Sequence, residues 1–323
     1  MKDCPLVTVF TPTFNREVTI HRPYESLCRQ TNRDFEWLIV DDGSADRTQE
    51  RVSAWQAHAR FPIRYVWQEN ASKAAAWNRG LQEARGQFFV CLDSDDECLP
   101  EALATLLRHW NELPIQHRAH FSGVTSLTLD ETGKPYGPPL PAAVIDCTPV
   151  EAHFRFHLWE TWHFYRTEIA KQFPFELIAG YRQCLYEGTV INRMATKYQQ
   201  RHIAERLRIF HTEQTPGAEG HLSVGITSST GIKHGPGLRA VHLSLLRYHC
   251  AWIFKDPAKF YRAAANYIRF SFAQGIGAAA QLRDLQASAA QVLWIVALPA
   301  GLLLNVRDRI RRTTLAKGIR GRA

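Results

Sequence analysis

The feature that most constrains this chain is the stretch Gln87-Phe88-Phe89-Val90-Cys91-Leu92-Asp93-Ser94-Asp95-Asp96. Five apolar residues, Phe88 to Leu92, run directly into three carboxylates within four positions. An apolar run of that length, bounded by polar residues, reads as a strand buried on both faces of a parallel sheet. Carboxylates just beyond such a strand fall at the edge where open α/β sheets bind their ligands. Crowding like charges is unfavourable unless a cation lies between them, and a divalent ion is the obvious candidate. All-oxygen donors suit Mg2+ or Mn2+, which take one or two carboxylates plus substrate phosphates. The same residues also suit a solvated acidic turn before the helix that starts near Pro100. Asp-x-Asp alone does not separate the two.

The residues upstream repeat the pattern. Leu6 to Thr11 reads as a strand and 17–30 as a helix; Phe35 to Val40 is a second buried strand, ending at Asp41-Asp42-Gly43-Ser44. Asp46 to His58 is helical in composition, Ile63 to Trp67 alternates as a third strand, and 72–85 forms a helix closed by Gly86. Strands alternating with helices of this length predict a parallel sheet with right-handed crossovers. Asp41 and Asp93 then meet at one edge of that sheet. Asp41 can accept a base N–H or a ribose hydroxyl, with Gly43 permitting the tight turn and Asp46 capping the next helix. Asp-Asp-Gly-Ser is equally a plain turn with a helix cap. Neither Gly-x-Gly-x-x-Gly nor a P-loop is present. Phosphate binding here needs another counter-charge, which a metal on Asp93 and Asp95 would supply.

Four segments in register carry a resemblance: Val7-Thr8-Val9-Phe10-Thr11-Pro12-Thr13-Phe14-Asn15-Arg16; Ile39-Val40-Asp41-Asp42-Gly43-Ser44; Lys73 with Asn78-Arg79-Gly80-Leu81; and Leu92-Asp93-Ser94-Asp95-Asp96. Together they resemble family 2 glycosyltransferases, closely over residues 5–110 and more loosely to about 215. The resemblance implies an α/β GT-A fold with a Rossmann-like, mostly parallel sheet flanked by helices. It also implies a nucleotide-sugar donor (a UDP-sugar first), Mn2+ or Mg2+, and inversion at the anomeric carbon. By that similarity Thr11, Pro12, Asn15, Arg16, Asp41, Asp42, Lys73, Asp93 and Ser94 would line the nucleotide-sugar site. Pro12 and Asp41 would flank the base, and Lys73 would approach the nucleotide. Asp93 would reach the ribose or the metal, Asp95 would be the direct metal ligand, and Asp96 would support it or cap a helix.

The middle of the chain should carry the acceptor side. Residues 121–129 read as a strand, Asp130 to Lys134 as a hairpin turn, and 135–149 as a Pro-rich connector. His153 and His157 share a helical face but have no third ligand in register, which makes them satisfied or surface histidines. Trp159 and Trp162 are candidates to stack on an acceptor sugar, or to pack in the core. An inverting transfer needs a carboxylate to take the acceptor hydroxyl's proton. Many members of the family have Glu-Asp at a helix start here; this chain has Glu187 followed by Gly188, so Glu187 is the candidate base, or a helix N-terminal acid. Arg208-Ile209-Phe210-His211 resembles the family's closing segment, where His211 would meet the metal or diphosphate. A Gly/Ser/Thr-rich stretch, 212–237 with Lys233 and His234, reads as a lid or a connector.

Charge and apolar content set the C-terminal part apart. The net charge of +8 is concentrated in 305–323, where seven Arg/Lys face Asp308 alone; the remainder, near +2, is no footprint for a nucleic acid. Seven scattered cysteines without Cys-x-x-Cys argue against a disulfide framework or a zinc site. Met1 to Pro5 lead straight into a strand pattern, so no secretory signal peptide is expected. Residues 1–237 are expected as the catalytic domain, with a nucleotide half to about 110 and an acceptor half beyond it. Residues 238–323 are expected as a helical extension. Val292 to Leu304 is apolar but broken by Pro299 and Gly301, short of the ~20 residues a spanning helix wants. A cytosolic donor and a basic tail belong on one side of a membrane, which favours an interfacial or re-entrant segment on anionic headgroups over a span. A helix buried in protein is the other option. The leading expectation is thus a metal-dependent glycosyltransferase, acting on a glycan or lipid-linked acceptor at the cytoplasmic membrane face. The alternatives are a nucleotidyltransferase on the same fold and a non-catalytic membrane-associated scaffold.

Overall fold

The structure is a computed structural model that describes residues 4–183, 185–211 and 234–320, with side chains to residue 311. Lys233, Cys184 and nearly all of the stretch 212–237 lie outside the described residues. In chain order, β1 (Val7–Thr13), α1 (His21–Cys28), β2 (Phe35–Asp41), α2 (Thr48–Gln56), β3 (Ile63–Trp67), α3 (Lys73–Glu83) and β4 (Phe88–Cys91) alternate. Next come β5 (Glu97–Cys98), α4 (Ala102–Asn111), β6 (Phe121–Asp130), β7 (Pro135–Tyr136), β8 (Val144–Cys147), α5 (Pro149–Phe156), β9 (Trp162–Arg166), α6 (Thr167–Ala170), α7 (Gly188–Met194) and β10 (Gln199–Phe210). The helices α8 (Gly235–His249), α9 (Pro257–Ala273), α10 (Ala278–Leu285) and α11 (Ser288–Arg320) complete the described chain. The chain divides into two units, one drawn from Met1–Leu177 and Met194–Leu222, the other from Ile178–Arg193 and Ser223–Ala323.

The first unit is built on one sheet of ten strands among the described residues, in the order β3-β2-β1-β4-β9-β6-β10-β5, with β7 on β6 and β8 on β10. β3, β2, β1 and β4 are parallel. They are the alternating part of the sequence, and α3 packs on β1 and β2 as a crossover should. Beyond β4 the sheet is mixed: β9 enters antiparallel between β4 and β6, and β6 pairs parallel with β10. The strand order reverses at β1, with β2 on one side and β4 on the other, which is the switch point where such sheets open a crevice. The core runs under that point: Phe10 stacks on Phe89 at 5.2 Å, and Phe88 stacks on Phe164 at 4.7 Å. Asp130 accepts from the Thr132 and Lys134 N–H groups at 2.9 Å each and closes the expected hairpin.

α1 begins later than the helix expected from residue 17, because 15–17 are fastened to the turn after β2. Asn15, in the left-handed region (φ 52), donates its N–H to Ser44 Oγ at 2.8 Å. Its Oδ1 accepts from Ala45 N at 2.9 Å, and Glu17 N donates to Asp46 Oδ2 at 2.9 Å.

The second unit is helical. α9 packs against both α8 and α11. Arg239 pairs with Asp284 and donates to Ser271 Oγ at 3.1 Å, while Asn192 in α7 donates to Ser244 Oγ at 2.8 Å.

Candidate functional site

The crevice edge is assembled from the carboxyl ends of β1, β2 and β4. Leu92 N donates to the Phe10 carbonyl at 2.8 Å, and Thr11 Oγ1 donates to the Leu92 carbonyl at 2.7 Å. The Trp37 indole N–H in turn donates to Thr11 Oγ1 at 2.9 Å. The Thr11 hydroxyl is thus a buried brace that fixes where Asp93 leaves the sheet. Pro12 is buried beside Val40 in the β1–β2 pairing.

Asp41 and Asp42 do different work. Asp41 is fully buried; its Oδ1 accepts from Ser44 N at 2.7 Å and its Oδ2 from the Tyr65 hydroxyl. Burial and the Asp41 hydrogen bond raise the Tyr65 hydroxyl well above its ordinary pKa, so it stays a donor. Trp67 lies in register with Asp41 at the end of β3 and is 56% exposed, an aromatic face at the sheet's edge. Asp42 clamps the loop into α3. Its Oδ1 accepts from Gln68 Nε2 (2.7 Å) and Ala71 N (2.9 Å), and its Oδ2 from Ser72 N (2.8 Å). Gly43, at φ +87, lies so close to this loop that a Cβ would fall 2.9 Å from Asn70 N. Ser72 is held at φ 102 and ψ 157, a region ordinarily left to glycine, while its hydroxyl caps α3. Such a backbone costs roughly 1–3 kcal/mol and persists only where its surroundings over-determine it. The residue it places is Lys73.

Lys73 Nζ lies 2.8 Å from Asp93 Oδ1, and Arg208 Nη2 from β10 is 3.5 Å from Asp93 Oδ2. Arg208 also holds buried Asp96, through Nε at 2.8 Å and Nη2 at 2.5 Å, and reaches Glu160 at 3.3 Å. Arg16 stands 3.9 Å from Asp95, whose side chain is 38% exposed. Ser94 is buried between the acids. Four carboxylates (Asp93, Asp95, Asp96 and Glu160) and three cations (Lys73, Arg208 and Arg16) therefore converge at the switch point. Burial pushes Asp93 up, but Lys73 and Arg208 outweigh it and hold it at about 2. Burial also raises Asp96; Arg208 opposes this, Asp93 and Asp95 add repulsion, and the balance is about 6. Asp93 is an anion at any working pH, and Asp96 is one at neutrality.

His211 closes the cluster: its N–H donates to Asp96 Oδ1 at 3.1 Å, and its Nε2 lies 3.1 Å from Glu97 Oε1. The two tryptophans part company. Trp162 is 3% exposed, and its indole donates to the Cys91 carbonyl at 2.5 Å, so it packs in the core. Trp159 is 56% exposed, edge-on to Tyr136 at 5.2 Å; Tyr136 stacks on Phe210 at 5.1 Å, and Arg208 covers Phe210. His153 is satisfied by the Leu158 carbonyl at 2.6 Å. Glu187 belongs to the second unit, where its carbonyl accepts from Val190 N and Ile191 N and opens α7.

The residues that sequence reasoning missed here are Arg208 as a site cation, and Tyr65 and Trp67 beside Asp41. Arg208 sat in a recognised segment, but nothing local said that it would meet Asp96, 112 positions away. The position of Tyr65 and Trp67 at a strand's carboxyl end was a usable signal.

The first unit is thus an α/β protein whose parallel half-sheet carries a cluster of acids and their counter-cations at its switch point. Residues 8–136 match the family described as glycosyl transferase family 2. Over 110 residues it is 36% identical to the GalNAc(5)-diNAcBac-PP-undecaprenol beta-1,3-glucosyltransferase of Campylobacter jejuni, covering 33% of this chain and 35% of that one. It is 26% identical, over the whole of both chains, to WcaA of Escherichia coli, named as a candidate colanic acid biosynthesis glycosyl transferase. The chain spans about a third or less of the length of several curated relatives, 35%, 20% and 30% in three of them. Among solved structures it resembles S. aureus TarS 1-349 in complex with UDP-GlcNAc, with a TM-score of 0.57, 18% identity, and coverage of 92% of this chain and 81% of that one. It also resembles GalNAc-T7 with UDP, GalNAc and Mn2+, with a TM-score of 0.55, 16% identity, and coverage of 88% and 55%. These likenesses establish the fold.

Proposed function

We propose that the chain is a metal-dependent, inverting glycosyltransferase. It would move a sugar from a nucleoside-diphosphate sugar to a saccharide or lipid-linked acceptor at the cytoplasmic face of a membrane. The observation that carries this is the convergence of Asp93, Asp95 and Asp96 with Lys73, Arg208 and Arg16 at the switch point of the sheet. UDP and UDP-GlcNAc, named for the fold neighbours, lead us to UDP-sugars as the donors to try first. The undecaprenol-linked substrate in the Campylobacter relative's name supports a lipid-linked acceptor.

The donor set suits a hard divalent cation, Mn2+ or Mg2+. Among the described residues no three His, Cys, Asp or Glu side chains form a ready cage. The ion would therefore be shared between one or two carboxylates and the donor's phosphates. Asp95 is the partly exposed carboxylate, with only the long Arg16 contact as an ion pair among the described residues, and Asp93 stands beside it. His211, oriented by Glu97 through one ring nitrogen, has the other for the metal or the diphosphate. When bound, the ion supplies neutralisation of the charge that develops on the departing diphosphate.

The chain's own residues do the rest. Trp67 offers its exposed face to the base, beside Tyr65, which buried Asp41 holds in place. Lys73 and Arg208 keep Asp93 ionised and add positive charge where the diphosphate leaves. Trp159 offers an exposed face to an acceptor sugar. Glu187 takes the proton from the acceptor hydroxyl as its oxygen bonds to the anomeric carbon, opposite the diphosphate. The old C–O bond breaks with its electron pair, and configuration inverts.

Three measurements test this. Incubation with UDP-sugars and nucleoside triphosphates in Mn2+ should release UDP; pyrophosphate release would point to nucleotidyl transfer, and no metal-dependent nucleotide binding by calorimetry would point to a scaffold. Glu187→Gln should keep donor affinity while kcat falls roughly 10²–10⁴-fold. An unchanged kcat would move the base to another carboxylate.

A further inference from the structure

α11 is long and apolar enough, by length and composition, to cross a membrane. Its side chains separate into two faces. Ala290, Leu293, Trp294, Ala297, Gly301, Asn305 and Asp308 are buried. Val292, Ile295, Val296, Leu302, Leu303, Val306 and Ile310 are between 41% and 72% exposed. At about 100° per residue the exposed apolar residues fill an arc of roughly 120°, and the buried set is centred about 180° away. Exposed Arg309 borders that arc on one side, and exposed Arg307 and Arg311 on the other. The stripe is about 27 Å long.

The buried face is committed to the rest of the second unit. Asp308 pairs with Arg269 of α9 at 2.6 Å and 3.0 Å, and Asn305 Nδ2 donates to the Arg269 carbonyl at 2.9 Å. Gly301 meets α9 so closely that a Cβ would fall 2.5 Å from Ile268 Cγ2 and 2.9 Å from the Ala265 carbonyl. Trp294 Nε1 donates to Gln281 Oε1 at 2.9 Å. A span by α11 would draw these polar groups into hydrocarbon or strip them of their partners.

We infer that α11 lies in the plane of an anionic bilayer, immersed on its exposed apolar stripe and docked to α9 on the other face, and does not cross it. This rests on the membrane reading proposed above and specifies its mode. Charge selects the occupant. The stripe is flanked by arginines whose aliphatic stems can lie along hydrocarbon while their heads reach the surface. The acid in 288–311 is Asp308, which is turned inward to Arg269. A second copy of this helix would bring no counter-charge to those arginines, whereas anionic headgroups would.

The test is flotation of the full chain with vesicles of phosphatidylcholine alone or mixed with phosphatidylglycerol, followed by alkaline carbonate. The chain should float with the anionic vesicles at low salt and be stripped by carbonate. Leu303→Asp should cut the floated fraction at least tenfold on either vesicle. Changing Arg307, Arg309 and Arg311 together to Gln should shrink the difference between the vesicles. Melting shifts with UDP and Mn2+ should be the same in these variants as in the wild type, because that site lies in the other unit. Failure to float on anionic vesicles, resistance to carbonate, indifference to Leu303→Asp, or a lipid-free dimer that Leu303→Asp dissociates would each overturn the inference. Absence of the UDP shift in the wild type would instead sink the transferase reading and leave this one standing.

Discussion

Lys73 shows how the site is balanced at the level of single residues. Its ammonium occupies Asp93 Oδ1 at 2.8 Å, where a divalent ion would otherwise draw on the same oxygen, yet it is 45% exposed, and in the proposed mechanism it faces the donor's phosphates. Lys73→Met should therefore separate two affinities that usually fall together. Mn2+ alone should bind several-fold more tightly, because a competing cation is gone. The nucleotide-sugar should bind more weakly, because a counter-charge to its phosphates is gone. Titration calorimetry with Mn2+ and with UDP reads both, and a loss of Mn2+ affinity would show that Lys73 supports metal binding. The acids of this cluster were legible in the sequence as a run. Of its cations, Lys73 and Arg16 came through the family resemblance, while Arg208 stood in a recognised segment without a role in the cluster, because an ion pair between positions 96 and 208 has no local signature.

At the level of elements, the contrast lies between the two halves of the sheet. β1 to β4 are apolar runs separated by helices, and their order and direction follow from that rhythm. β10 defeats the same reasoning. Gln199 to Phe210 carries three arginines, a glutamate and a histidine, and its pairing to β6 shifts register between Gln199 and Gln200, His202 and Arg206, and Arg206 and Arg208. Polar residues tolerated at bulges erase the alternation that would announce a strand. β9 reaches its place between β4 and β6 through equally specific packing. At Gly123, φ +155, a Cβ would fall 1.9 Å from the Phe164 carbonyl. Gly123→Ala must push β6 and β9 apart, and should cost about 3 kcal/mol. Equilibrium denaturation would measure it; a loss under 1 kcal/mol would mean that the pairing relaxes freely.

For the molecule as a whole, pH dependence should come from histidines that the sheet keeps neutral. Burial lowers His163 and His202 to about 4 each, against roughly 6.5 in the unfolded chain. Above pH 6.5 both states leave these rings neutral, and they add nothing. Between about 6.5 and 4 the unfolded chain takes up the protons and the folded one does not, so stability falls as pH drops. For His202, 2% exposed, that loss can reach on the order of 3 kcal/mol. Melting curves from pH 7.5 to 4.5 should show the decline, and His202→Leu should flatten it. A variant with the wild-type slope would assign the acid sensitivity to other groups.

Taken alone, the sequence determined the parallel half of the sheet, the acids at its edge, the hairpin at Asp130 and the apolar, basic character of the C-terminal part. Each of these is written in residues adjacent in the chain, as a period, a turn or a run. The tertiary structure alone decided that Arg208 neutralises Asp96, that Trp162 is core while Trp159 is exposed, and that α11 has one face against α9 and the other open. Those outcomes depend on which distant surfaces meet. Burial and charge compensation are set by neighbours in space, and spacing along the chain does not record them.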